Sequence, residues 1–209
     1  MSASPRRLRT RVGAPGPVLG RTRRTGTARG TTLSRARVRR HVQRVPPSTW
    51  AWVSIVGFVA LFGSFAIEGR GPWVPYVTAW GSAVGHLALF PLVAALPGVA
   101  WARPAGYMWA SVDTILSVAA LNGLPIGTST ELRLGLHVVV AFWLAAVALA
   151  STGGLRVAAG LFTVAIAIPS LFGPVLPPSA LFAVMPFLFA FLFTVAVTLR
   201  RRDVRPAAA

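Results

Sequence analysis

From Trp50 to Leu199 the chain is a succession of long apolar runs broken by short Gly/Pro clusters, and this constrains the fold more than any other feature. Each run is close to the ~20 residues that a helix needs to cross a bilayer core. Six spans are predicted: 50–67, 76–96, 106–122, 132–151, 155–173 and 179–199. A soluble helical bundle would show one apolar stripe per helix with charges opposite. These segments are apolar all round, so the expected fold is all-α, a polytopic membrane bundle of six transmembrane helices.

The breaks have ordinary turn chemistry. Residues 68–75 read Glu-Gly-Arg-Gly-Pro-Trp-Val-Pro. Pro97-Gly98 and Arg103-Pro104 separate spans two and three, and residues 123–130 separate three and four. Gly153-Gly154 separates four and five, leaving about three residues for the hairpin. Gly173-Pro174 and Pro177-Pro178 separate five and six. Pro169 makes span five the least regular, and Pro91 is expected to bend span two. Ser48 or Thr49 could cap span one, and Thr128 with Glu131 fits a capping box for span four.

The charge is unevenly placed. The chain carries +17, with 21 arginines, no lysine and 4 acids. Thirteen of the arginines lie in residues 1–44, among Gly, Thr, Ser and Pro, with no acid. Such a segment cannot bury enough apolar surface to offset its ordering entropy, so residues 1–47 are expected to form a disordered cytosolic tail that leans on anionic lipid headgroups. Its composition also allows a transit peptide, or a true start at Val42 or Val45. A nucleic-acid partner is disfavoured, because the tail has no aromatic residue for base stacking. Residues 48–200 form the expected membrane domain and 201–209 a short cytosolic tail.

With six spans, one side holds the N-terminal arginines, Arg103, Arg156, Arg200, Arg201, Arg202 and Arg205, 19 in all, and the other holds Arg70 and Arg133. The positive-inside rule then puts both termini in the cytoplasm, in a multi-pass protein of the cytoplasmic membrane, read as a bacterial inner membrane. Trp50, Trp52, Trp101, Tyr107 and Trp109 are expected at the inner interface, and Trp73, Tyr76 and Trp80 at the outer one.

Ionisable side chains inside membrane helices are costly and mark functional candidates. Span two places Thr78, Ser82 and His86 on one face, with Gly81 and Gly85 beside them as a GxxxG packing pattern. Span three places Ala110, Asp113, Thr114 and Ser117 on one face. At about 1.5 Å per residue, His86 lies roughly 15 Å from the outer start of span two and Asp113 roughly 10 Å from the cytosolic start of span three. A contact of His86 with Asp113 or with Ser117 is therefore expected. His86, Asp113, Ser117, Ser82 and Thr114 form the candidate intramembrane polar site. His137, with Asn122 or Arg133 as partner, is a secondary candidate nearer the outer surface. Arg133 and Glu131 read as a solvated outer pair, which contributes little.

Enzyme signatures are missing: there is no HExxH, no GxSxG and no phosphate-binding glycine loop. No cysteine is present, which removes disulfides and thiolate chemistry. No metal or cofactor is expected, and a haem held by His86 and His137 is disfavoured by their different depths. The intramembrane polar residues favour, by a narrow margin, a small permease-like transporter with a polar intramembrane site. A non-catalytic membrane interaction or assembly protein is the near alternative, and an intramembrane enzyme using Asp113 and His86 ranks third. Gly81 and Gly85 could serve a homo-oligomer or a membrane protein partner.

Overall fold

A computed structural model describes residues 45–67, 71–123, 126–176 and 182–204 of the chain. The N-terminal basic tail, the loop residues Glu68 and Arg70, and the C-terminal residues from Arg205 onward lie outside these. The described residues are helical, with no strand among them.

Among the described residues, seven α-helices follow one another: α1 (Pro47–Ala66), α2 (Val74–Leu87), α3 (Leu89–Ala95), α4 (Arg103–Leu121), α5 (Ile126–Ala150), α6 (Gly153–Phe172) and α7 (Met185–Val204). Helices α2 and α3 are the two halves of the second apolar run. The break falls at Ala88, three residues before Pro91. Pro91 has no N–H to offer the carbonyl of Leu87, and its ring crowds that carbonyl, so the helix kinks one turn upstream. Pro169 behaves differently: α6 runs through it to Phe172.

Five helical stretches of the described residues are long and apolar enough to cross a membrane: Pro47–Ala66, Val74–Ala95, Leu132–Ala150, Gly153–Phe172 and Phe182–Asp203. Helix α4 has 19 residues but carries Arg103 and Asp113 and is less apolar. The outward surface is itself apolar. On α6, Val157, Leu161, Val164, Ile168 and Leu171 form one exposed face. On a soluble helix that face would be polar, so the exposed surface suits lipid.

Neighbours pack in a closed ring: α1 on α2, α2 on α4, α4 on α5, α5 on α6, α6 on α7, and α7 back on α1. The core between them holds Phe58, Leu92, Trp143, Leu144, Val147, Phe162, Phe191 and Leu192, all almost fully buried. Helix α1 meets α2 through glycine. A Cβ on Gly57 would lie 2.5 Å from the Gly85 nitrogen, and one on Gly81 would lie 2.6 Å from the Leu61 nitrogen. Only glycine allows backbones this close. The GxxxG face of α2 is thus occupied by α1 of the same chain. Gly153, at φ +59°, turns the chain sharply between α5 and α6.

Three expectations about helix ends change. Helix α1 is preceded by Pro46 with no side-chain cap, and Ser48 instead donates to Asp203 Oδ2 at 2.9 Å. That bond ties the start of α1 to the end of α7. Helix α5 begins at Ile126, ahead of Thr128, so Thr128 does not start it. Helix α7 continues through Arg200, Arg201 and Arg202 to Val204, four residues into the segment expected to be a tail.

Candidate functional site

The polar residues expected on α2 and α4 meet in the ring. His86 is 4% exposed, and Asp113, Ser82 and Ser117 are each 1% exposed. They face one another because each lies on the polar stripe of its helix, and turning that stripe toward lipid would strand several polar groups in hydrocarbon.

Asp113 sits between two basic groups. His86 Nε2 lies 3.3 Å from Oδ2, and Arg133 Nε lies 3.3 Å from Oδ1. Neither carboxylate oxygen accepts a hydrogen bond of good geometry from the described residues, so the carboxylate is held by charge. The expected approach of His86 to Asp113 is present.

Arg133 overturns its expected role. It reaches inward from α5, with its side chain 23% exposed, and joins the buried cluster. Its Nη2 donates to Ser117 Oγ at 2.9 Å and its Nη1 approaches Ser82 Oγ at 3.4 Å. The side chain of Glu131 lies outside the described residues. The physical reason for the inward turn is charge. A deeply buried carboxylate needs a counter-charge, and a long side chain can place its head far from its own Cα.

Two serines complete the network. Ser117 Oγ lies 2.7 Å from Ser82 Oγ and 2.6 Å from the Asp113 carbonyl oxygen. It is Ser82, not His86, that Ser117 meets. The imidazole is fixed from its other nitrogen: Nδ1 lies 2.7 Å from the Ser82 carbonyl oxygen and 3.3 Å from Ser82 Oγ. Phe58 of α1 and Trp109 of α4 stand edge-to-face on the ring, with centroids at 4.9 and 5.4 Å. Both lie within the ~6 Å at which an aromatic ring can favour a cation. Trp109 is 2% exposed, so it is a wall of the site and not an interfacial anchor. Trp73, Tyr76 and Trp80 are exposed.

Thr114 and Asn122 stand apart from the cluster. Thr114 is half-buried and donates to the Ala110 carbonyl of its own helix at 2.7 Å. Asn122 donates to the Val118 carbonyl at an exposed position. His137 is half-buried one turn beyond Arg133, close enough to interact electrostatically with Asp113, His86 and Arg133.

Arg133 and the two aromatic walls are what sequence reasoning missed. A signal for Arg133 exists: of the two arginines expected on the sparsely charged side, Arg70 and Arg133, it is the one inside a predicted span. Among the described residues no three His, Cys, Asp or Glu side chains gather as metal ligands. The cluster offers His86 and Asp113, with a guanidinium where a third ligand would stand.

No family model, no curated protein and no solved structure matches this chain.

Proposed function

We propose that the chain is a six-span membrane protein with both ends in the cytoplasm, and that the Asp113–His86–Arg133 cluster is the working site of a small proton-linked permease. The ring closure of α7 on α1 and the Ser48–Asp203 bond support the topology. They bring the first and last helix ends together, as an even number of crossings would, with α4 as the sixth. The arginine distribution supports the orientation.

One observation carries the functional reading: the 2.7 Å contact of His86 Nδ1 with the Ser82 carbonyl oxygen. A carbonyl only accepts, so Nδ1 is the donor. Nε2 then faces Asp113 attractively only if a proton lies between them, on one partner or the other. With that proton present, the trio carries a net charge of +1 in an apolar bundle. Without it, two lone pairs face each other and Arg133 alone holds the carboxylate. A carboxylate that can lean on either of two cations, and gains or loses a proton when it does, is the minimal part of a proton relay.

The same contacts cross-link α2, α4 and α5, which favours a purely structural role as the second reading, that of an assembly protein. Reconstitution into liposomes with an internal pH indicator separates the two. A permease gives a gradient-driven pH change with some solute of a panel of small ions and metabolites, and Asp113→Asn removes it while the purified protein keeps its helicity. No flux from wild type with any solute, together with loss of partner recovery or protein level in Asp113→Asn, establishes the structural reading instead.

A further inference from the structure

A groove of about 420 Å³ runs between α6 and α7 at the end of the bundle where the start of α1 meets the end of α7, and Asp113 does not line it. It is lined along α7 by Phe193, Val197 and Arg201, and by Thr194, Thr198 and Arg202. Both sets are spaced i, i+4, i+8, so the groove follows one face of α7 for roughly 12 Å. Along it the lining changes from an aromatic ring through aliphatic and hydroxyl groups to two guanidiniums. Leu155 closes its floor and Thr152 flanks its polar end.

Two features point to the occupant. Among the described residues, neither Arg201 nor Arg202 has a carboxylate within 4.0 Å. The neighbouring acid, Asp203, accepts from Ser48 instead. The chain also has little to offer them, because its acids are Glu68, Asp113, Glu131 and Asp203. With four acids against 21 arginines, an anion from outside the chain is the better match for this pair. Its other end must be apolar, since Phe193, 55% exposed, continues the groove into the lipid-facing surface.

We propose that this groove seats one anionic phospholipid of the leaflet facing the chain ends, with its phosphate on Arg201 and Arg202 and an acyl chain along Val197 and Phe193. Guanidiniums bind phosphate oxygens through paired, charge-assisted hydrogen bonds. The hydroxyls of Thr152 and Thr198 stand at the headgroup level, and Thr152 makes no capping bond to α6. A free phosphate would use the arginines but leave the apolar wall unused, which is why a lipid fits the groove better. The inference rests on the membrane reading and is independent of transport.

The test is native mass spectrometry of the full chain in mild detergent, titrated with phosphatidylglycerol, phosphatidylcholine or inorganic phosphate. Wild type should retain one phosphatidylglycerol in preference to phosphatidylcholine. Arg201→Gln/Arg202→Gln should weaken retention by roughly tenfold or more, the scale of one lost charge-assisted hydrogen bond. Arg200→Gln, which removes a charge outside the groove, should not. Val197→Trp should expel the lipid by filling the groove with charge unchanged. Equal retention by the double variant, full retention by Val197→Trp, or displacement of the lipid by inorganic phosphate would each overturn the proposal. Because the readout is binding, a protein that carries no solute can still pass it, and a carrier can still fail it.

Discussion

Arg133 Nε stands 3.3 Å from Asp113 Oδ1, an ion-pair contact that joins the N-terminal part of α5 to the buried face of α4. The two side chains differ in freedom. Arg133 is long and partly exposed, whereas Asp113 is short and 1% exposed, with His86 on its other side. Their removal should therefore have unequal consequences.

Asp113→Asn leaves an arginine that can withdraw toward the exposed surface. Arg133→Met leaves a buried carboxylate with His86 alone beside it, and breaking a buried pair this way costs up to about 3–5 kcal/mol, less where His86 supplies the counter-charge. Thermal unfolding in detergent should show Arg133→Met as the less stable variant. A double-mutant cycle on the pair should give a coupling of about 0.5–3 kcal/mol. Equal melting temperatures with no coupling would show the contact to be energetically idle.

The α1–α2 contact makes a graded prediction. A Cβ at Gly57 or Gly81 strikes backbone atoms, while one at Gly85 meets the Phe58 ring at 3.3 Å, which can shift. Gly57→Ala and Gly81→Ala should each destabilise by about 1–3 kcal/mol, the usual cost of overpacking. Gly85→Ala should cost less. Gly63→Ala meets nothing within 4 Å and should be neutral or stabilising by about 0.5–1 kcal/mol. Melting curves of the four variants should rank in this order.

Topology is accessible because the chain has no cysteine. Single cysteines at Trp73 and at Ala207 should label from opposite sides of the membrane with an impermeant maleimide. Reactivity of both from one side would require an odd number of crossings and remove α4 from the set.

Ser117→Ala removes the acceptor of Arg133 Nη2 at 2.9 Å. The cost should be about 1 kcal/mol, and up to about 3 if the guanidinium is left without a partner. In a permease the same change should lower flux without abolishing it, since Asp113 and His86 remain. Complete loss of flux with unaltered stability would give Ser117 a direct part in the path of the solute.

Much of the architecture is legible in the chain itself. The apolar runs mark every long helix because each must satisfy its backbone internally and present side chains to lipid. Polar spacing at i and i+4 places Ser82 with His86, and Asp113 with Ser117, because that period fixes a helix face whatever packs against it. The partners across helices are less legible. Glu131 stands near Arg133 in sequence, and that adjacency suggests a surface pair. The ring of helices instead turns Arg133 toward Asp113, because a guanidinium can reach a buried carboxylate that has no other strong cation. Likewise the glycines of α2 announce a close packing face without saying whose backbone fills it, and α1 of the same chain does. Local pattern therefore dictates which face each helix must bury. Which neighbour covers that face is settled only in three dimensions, because pairing depends on the order of helices around the ring and on the reach of side chains between them.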